Sequence, residues 1–508
     1  MMGSVLLSRI IGLLRERSLA GFGGTTYEID AYVTSFFIPE LLNHFLSGGF
    51  LSITFIPIFQ HHLVNNRHEE AWKSFSNLFT IGTVLFILFI PITIALTPTM
   101  LSFLGPQIQD PRSFTLTVKL TRIIIPAQLF FFWGALFNAV QMSKRHFFLP
   151  ALAPLGYNGA IILGGILLGP IIGIEGFAWG VLAGAFIGNV LIQLPGVKRC
   201  GLQFTPCIDF RHPDILTYFK KTVPLILGLS MTFSNEIFFR YFGSFLSDGG
   251  TACVNYALRT MMMVVAVFGQ ASGVAFYPFL TNLAAEKKFR EMERLLNSVL
   301  RKIALFLIPI SAVLILLSYE VIAFLFEHGK FTAQSTGTTA PVLVIYLLGT
   351  FSYCAAIILA RSFYAMQKMI LPLVISTGIA ITTIPLYIIL SAWIGARGIA
   401  TAAVFGMTLQ SIILYFLWLK DYGTWQAART ELIVYVKILS ITIIGIIPGY
   451  FIKQQLLSSI TVEYNLIKNS IIIFSVTIPV MAIVFFLYDI LGIQKMRETS
   501  NLLFKKRI

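Results

Sequence analysis

The stretch Ile172-Gly173-Ile174-Glu175-Gly176 returns 222 residues later as Ile394-Gly395-Ala396-Arg397-Gly398. The same shift lays Leu149-Pro150 on Leu371-Pro372, and a shift of 221 lays Phe55-Ile56-Pro57 on Phe276-Tyr277-Pro278. At 226, Phe137, Ala139 and Gln141 recur as Phe363, Ala365 and Gln367. Each match alone is common in apolar helices, but four in one order at nearly one shift indicate an internal repeat. The residues between the matches say what is repeated. Of 508 residues, 56% are hydrophobic and 12% charged, and mean hydropathy is +0.82. Soluble domains carry about 25% charged residues, so the chain is a polytopic membrane protein.

A helix crossing a ~30 Å hydrocarbon core needs about 20 apolar residues. Fourteen such segments are predicted, over 2–21, 31–60, 74–100, 115–142, 150–170, 175–196, 220–247, 252–283, 297–326, 338–366, 370–393, 396–419, 431–452 and 467–491. The repeat spans six of them, an even number, so the two copies share one orientation and are related by an axis along the membrane normal. Parallel repeats of this kind build transporters whose halves rock around a central site. The expected fold is therefore all-α, with two six-helix lobes around a central cavity, 1–218 and 219–425. Two C-terminal helices and a basic tail follow in 426–508.

The net charge of +15 does not point to nucleic acid, because the basic residues lie mostly in short loops between apolar runs. Loops after even-numbered segments and the segment ends adjoining them, with the tail, hold 24 Lys and Arg, and the opposite loops with their adjoining ends hold 7. That bias predicts both termini in the cytoplasm. The four cysteines show neither a disulfide framework nor paired zinc spacing, and Cys200 and Cys207 are expected to be reduced. The first segment has no basic leader and is interrupted by Arg9, so it is expected to remain in the mature protein.

The remaining six of the 37 Lys and Arg, which are Arg9, Arg15, Arg17, Arg240, Arg259 and Arg361, fall within or at the ends of the apolar segments. A charge near the bilayer centre costs roughly 2.5–3.5 kcal/mol even on the mildest scale, so such residues usually face a cavity and act there. Three of them crowd Ser8-Arg9-Ile10-Ile11-Gly12-Leu13-Leu14-Arg15-Glu16-Arg17, which suggests an anion site. On an ideal helix Arg9 and Glu16 share a face, whereas Arg9 and Arg15 lie about 120° apart. Both arginines line one cavity only if it is broad or the helix bends near Gly12. A guanidinium suits phosphate or diphosphate because its planar fork donates two parallel hydrogen bonds and stays charged when partly desolvated. For Arg17, snorkelling at a helix end is the competing explanation.

Asp30, with Glu28, opens the second segment, where a carboxylate is favoured by the helix dipole; capping alone would account for it. Arg259 has no acid nearby in sequence. Arg240 has Glu236 four residues earlier, at the spacing of an intrahelical ion pair, and this pair is expected to be structural or part of a gate. His61, His62 and His68 occupy a polar loop and are expected to be solvated. No Ser/His/Asp order and no phosphate-cradling Gly-Lys-Ser/Thr loop is present, which excludes ATP hydrolysis. Residues 285–296 predict a basic amphipathic helix on the inner leaflet, or else a solvated linker.

These residues resemble the MurJ (MviN) lipid II flippases of the multidrug/oligosaccharidyl-lipid/polysaccharide exporter superfamily. The resemblance runs through most of the chain. It is densest in Ser8 to Gly12 with Arg15-Glu16, Asp30-Ala31 with Ile38-Pro39, Ser52 to Pro57, Pro150 to Asn158, Tyr256-Ala257-Leu258-Arg259, and Phe326 to Thr332. It implies fourteen helices in two lobes, the last two forming a groove for a polyprenyl tail. The implied activity is moving undecaprenyl-diphosphate-linked peptidoglycan precursor to the outer leaflet of the bacterial cytoplasmic membrane.

By this resemblance Arg9, Arg15 and Arg259, with Ser8 and Glu16 in the same motif, match cavity residues tied to the diphosphate, and Asp30 matches a functionally important acid. The chain departs from the family's Pro-Asn-Leu-Leu-Arg-Arg, reading Pro39-Glu40-Leu41-Leu42-Asn43-His44, so Asn43 takes an expected arginine position. An expected glutamate is Gly48, and the acid commonly preceding the second-lobe arginine is Leu258. The acids of a sodium site are missing apart from Glu236. The implied protein is a transporter and not an enzyme, without cofactor or metal, driven by membrane potential or a coupled ion. Its implied partners are lipid II, membrane lipids and cell-division or cell-wall synthesis proteins, and it is expected to be a monomer. Competing readings are a flippase for another polyprenyl-diphosphate glycan, an ion-coupled drug exporter, a membrane glycosyltransferase, and a non-transporting cell-wall scaffold. A drug exporter for cations would present acids where this chain presents arginines.

Overall fold

The computed structural model describes residues 2–43, 50–103, 110–228, 230–459 and 465–491. The chain divides into two compact units, Met1–Ala252 with His328–Thr332, and Cys253–Glu327 with Ala333–Ile508. Both are helical, and the described residues contain no strand, only an isolated bridge between His328 and Phe331.

In the first unit the helices are α1 (Met2–Gly23), α2 (Tyr27–Ser35), α3 (Phe37–Leu42), α4 (Phe50–Val64), α5 (His68–Phe103) and α6 (Pro111–Ile124). They continue with α7 (Ala127–Ser143), α8 (Phe148–Ile172), α9 (Glu175–Phe186, extended by a π turn), α10 (Leu194–Arg199), α11 (Pro213–Gly228) and α12 (Ser230–Gly243). α13 (Gly250–Val265) begins there. The second unit holds the rest of α13, then α14 (Ala271–Ala285), α15 (Phe289–Leu316), α16 (Ser318–Phe326), α17 (Ala333–Leu348) and α18 (Thr350–Ala365). It ends with α19 (Ile370–Ile394), α20 (Ala396–Tyr422), α21 (Trp425–Ser459) and α22 (Asn465–Ile490).

The repeat is written into the backbone. α8 and α19 are both 25 residues long, start 222 residues apart, and stop at left-handed glycines, Gly173 (φ 68°) and Gly395 (φ 58°). The turns after α7 and α18 place Arg145 (φ 60°) and Gln367 (φ 59°) at the same shift, and those after α4 and α14 place Asn66 (φ 55°) and Lys287 (φ 57°) 221 apart. A side chain in this region is strained, so the shared positions mark one turn geometry used twice. The Phe137–Phe363 match at 226 falls outside this register, since Gln367 corresponds to Arg145 and not to Gln141.

Lipid offers no hydrophobic drive between helices, so close packing of small residues supplies the attraction. Gly176, Gly180, Gly184 and Gly188 fall every fourth residue along one face of α9 and its π turn, against α8. A Cβ on Gly180 would lie 2.8 Å from the Ile161 Cα, one on Gly184 2.6 Å from the Tyr157 carbonyl oxygen, and one on Gly188 2.5 Å from the Ala153 carbonyl oxygen. In the second unit the corresponding positions are Gly398, Ala402, Gly406 and Gln410, and Gly398 lies so close to the Leu390 carbonyl that no Cβ fits. Elsewhere in the first unit the core is aromatic, with Phe79 stacked on Phe75, Phe137 and Trp133. The outward faces are apolar as well. On α5, Ile87, Leu88 and Ile92 are exposed, and on α21 and α22 so are Ile443, Ile447, Phe451, Phe474 and Ile478, as lipid contact requires.

Among the described residues ten helical stretches are long and apolar enough to cross a membrane, or eleven if α17 and α18, bent by 43°, form one span. The expected spans over 2–21, 31–60 and 220–247 are not among them. The first is charged by Arg9, Arg15, Glu16 and Arg17; the second is broken into α2, α3 and α4; the third is split between α11 and α12. The expected amphipathic helix over 285–296 is not a separate element. Its first residues form a turn, and Phe289 onward is the opening of the 28-residue α15.

Candidate functional site

Arg15 stands on α1 with its side chain about a quarter exposed, and is held from two sides. Its Nη1 donates to Asn158 Oδ1 on α8 at 3.0 Å, and its Nη2 to Glu16 Oε1 at 2.5 Å. Glu16 is buried. The Asn158 amide is aimed by its own bond, Nδ2 donating to the Pro154 carbonyl at 2.9 Å. Tyr32 and Tyr157 lie within electrostatic reach of the guanidinium. The glycine ladder sets this geometry, because Gly184 abuts the Tyr157 carbonyl and so fixes how far α8 stands from α9. α1 in turn rests on α8 through Phe22, whose ring meets Phe177 at 5.4 Å and packs over Gly169.

A guanidinium carries five N–H donors, and Arg15 spends two of them. It is thereby oriented and charge-compensated while keeping donors for a ligand. Of its neighbours in the motif, Arg9 is exposed and Ser8 half-buried.

The Glu236–Arg240 pair is present, at 3.3 Å, but it is the minor contact. Arg240 is 3% exposed, and its principal partner is Glu40 of α3, which takes both terminal nitrogens, the Nη2–Oε1 bond measuring 2.8 Å. The expected intrahelical pair is therefore a three-residue clamp joining α3 to α12. The carboxylate that the family pattern does not have at position 40 is matched by a buried arginine 200 residues away. Asn43 ends α3 in helical conformation (φ −60°, ψ −42°), half-buried. Gly48 lies outside the described residues.

Asp30 caps a helix, though not its own. Its two carboxylate oxygens accept the backbone N–H groups of Gly249 at 2.6 Å and Ala252 at 2.7 Å, so it anchors α2 to the first turn of α13. Arg259 lies farther along α13, half-buried, in the second unit. The structure thus brings Arg15, Glu16 and Asn158 together, and separately Glu40, Glu236 and Arg240. Asn158 and Glu40 were missed as functional candidates. The signal for Asn158 was an amide in an otherwise apolar α8, and for Glu40 an acid directly after Pro39.

His62 is not solvated as expected. It is 8% exposed, with Nε2 2.8 Å from Asp214 and Nδ1 3.3 Å from Glu70, and Ser74 donates to the same Asp214 carboxylate. The cluster ties the start of α11 to α4 and α5. No group of three His, Cys, Asp or Glu among the described residues is arranged to hold a metal ion.

The motif Phe326 to Thr332 has a local role. Lys330 N–H donates to the Gly21 carbonyl at 2.8 Å, and its ammonium sits 5.3 Å from the Phe22 ring. The turn thereby satisfies a carbonyl at the C-terminal end of α1, which a helix cannot bond internally.

A family model described as "Lipid II flippase MurJ" matches residues 20–486. A curated lipid II flippase MurJ of Burkholderia cenocepacia is 28% identical over 450 residues, 87% of each chain. A probable lipid II flippase MurJ of Borreliella burgdorferi is 23% identical over 498 residues, 97% of this chain and 96% of its own. Among solved structures, a lipid II flippase MurJ in an inward closed conformation superposes with a TM-score of 0.79 at 23% identity, covering 97% of this chain and 99% of that one. An inward-facing multidrug MATE transporter of the MOP superfamily gives 0.66 at 14% identity, covering 84% and 95%.

Proposed function

Because the chain belongs to the MurJ family of lipid II flippases, we propose that Arg9, Arg15 and Arg259 hold the lipid II diphosphate during alternating access. The chain is a multi-pass inner-membrane transporter that flips lipid II, and not an enzyme. The observation that carries the proposed site is the state of Arg15, oriented by Glu16 and Asn158 with donors to spare. Such a preset guanidinium loses less freedom on binding a diphosphate than a loose one would.

Fourteen spans are proposed, the eleven apolar ones plus α1, the α2–α4 run and α11–α12. The exceptions are the three that carry the charged clusters, and charge inside a membrane is tolerated where a cavity or partner receives it. Two six-helix lobes, 1–218 and 219–425, with α21 and α22 outside them as a lipid-tail groove, are supported by the 222-residue register, which lays α12 on residues 8–21 of α1. Asp30 serves by fixing α2 to the start of α13. Cytoplasmic termini are supported by the 24 to 7 distribution of basic residues over loops and adjoining segment ends. Membrane potential is the proposed drive, since one charge crossing 100 mV releases about 2.3 kcal/mol.

Proteoliposomes loaded with lipid II test the site. Arg15→Ala is expected to fall to the rate of protein-free vesicles. Asn158→Ala, which removes one hydrogen bond to a charged group worth about 1.5–3 kcal/mol, is expected to slow transfer roughly 10- to 150-fold. Folded Arg15→Ala protein that flips as fast as the parent would refute the assignment.

A further inference from the structure

Between the first turns of α15 and α21 lies a recess of about 600 Å³, whose lining includes Arg290, Glu293, Arg294, Arg301, Thr424 and Glu431. Nothing in the lipid II reading uses it. That volume is within the ~300–1,000 Å³ of small-molecule sites.

Its two carboxylates are already committed. Glu293, 6% exposed, accepts the Thr424 N–H at 2.7 Å and the Thr424 hydroxyl at 3.3 Å. Glu431, 4% exposed, takes Arg301 in a two-pronged pair, the Nε bond measuring 3.0 Å. What remains is positive. Arg290 and Arg294, exposed and one turn apart on α15, make no ion pair or hydrogen bond among the described residues. Like charges at this spacing repel one another, and a shared anion would relieve them. The lining residues Arg290 and Ala427 lie in the first turns of α15 and α21, where a helix N-terminus adds partial positive charge. Trp425, 61% exposed, directly follows the lining residue Thr424, and Phe289, which directly precedes Arg290, pairs with the Tyr422 ring at 5.3 Å; Trp and Tyr of this kind mark a membrane–water boundary.

We propose that this recess binds a phosphate-bearing anion, with Arg290 and Arg294 as the clamp and the Glu431–Arg301 and Glu293–Thr424 contacts as its fixed floor. The fork of arginine matches phosphate oxygens in pairs, and basic pockets between membrane helices suit anionic headgroups. The same chemistry would take a phospholipid headgroup or a free phosphate.

The test uses the full-length protein in detergent, titrated with dioleoylphosphatidylglycerol and followed by native mass spectrometry. Arg290→Gln/Arg294→Gln is expected to weaken retention about tenfold or more, while Arg112→Gln, outside the recess, retains the lipid as the parent does. Competition by millimolar inorganic phosphate would assign the site to free anion, and a response to lipid alone would assign it to a headgroup; either supports the proposal. If the double variant is unstable, each single substitution is read instead. Parent-like retention by the folded arginine variants would overturn it.

Discussion

Replacing Glu40 with Gln strips Arg240 of its principal partner while leaving the guanidinium 3% exposed. Removing one member of a buried ion pair costs about 3–5 kcal/mol, because the remaining charge stays desolvated. Two features reduce that figure here. Glu236 remains at 3.3 Å, and the Glu40 and Glu236 side chains are 28% and 25% exposed, so water reaches the carboxylate side. About 2 kcal/mol is therefore expected, roughly 30-fold in an unfolding equilibrium. A double-mutant cycle of Glu40→Gln and Arg240→Gln, read by denaturant titration of the purified protein in one detergent, isolates the pair. Coupling near 2 kcal/mol is expected, with Glu236→Gln costing clearly less than Glu40→Gln. Coupling below about 0.5 kcal/mol, the value of an exposed pair, or equal costs for the two glutamates, would refute the clamp.

Three further outcomes follow from the packing. Gly184→Ala places a methyl against the Tyr157 carbonyl and should destabilise by about 1–3 kcal/mol and slow flipping by displacing Asn158. Gly159→Ala on α8, the helix that carries Asn158, meets open space and should do neither, as thermal unfolding and vesicle transfer will show. Asp30→Asn should cost about 1 kcal/mol through the weakened cap on α13, with hydrogen exchange rising first at Gly249 and Ala252. His62→Ala should cost about 1–3 kcal/mol by leaving the Asp214 carboxylate short of a donor, and should raise protease sensitivity where α11 begins.

The repeat, the helical class and the charged first helix were legible in the sequence because each is a local or periodic property. Gly173 and Gly395 announce themselves by type and position, since both end a helix in a conformation that glycine adopts freely. The distant partners of Arg15 and Arg240 were not legible, because Asn158 and Glu40 lie 143 and 200 residues away and no spacing rule reaches that far. Glu236 was named as the partner of Arg240 because it sits at the helical spacing. The fold supplied a second carboxylate with better geometry, and the local rule could not weigh one it did not see. His62 was misjudged for the same reason, Asp214 being 152 residues on.

The pairing of Arg15 with Asn158 also bears on how the protein is made. α1 leaves the ribosome before α8, and the amide that completes its arginine's coordination follows 143 residues later. At about 5–20 residues per second, synthesis takes roughly 7–30 s to cover that distance. During that interval the counterion that Arg15 keeps in the folded protein, its immediate neighbour Glu16, is already present. An ion pair between adjacent residues needs no other part of the chain, so Glu16 shields the charge of the nascent helix before α8 exists. Neutralising Glu16 should accordingly reduce the amount of protein that reaches the membrane, apart from any effect on the finished transporter.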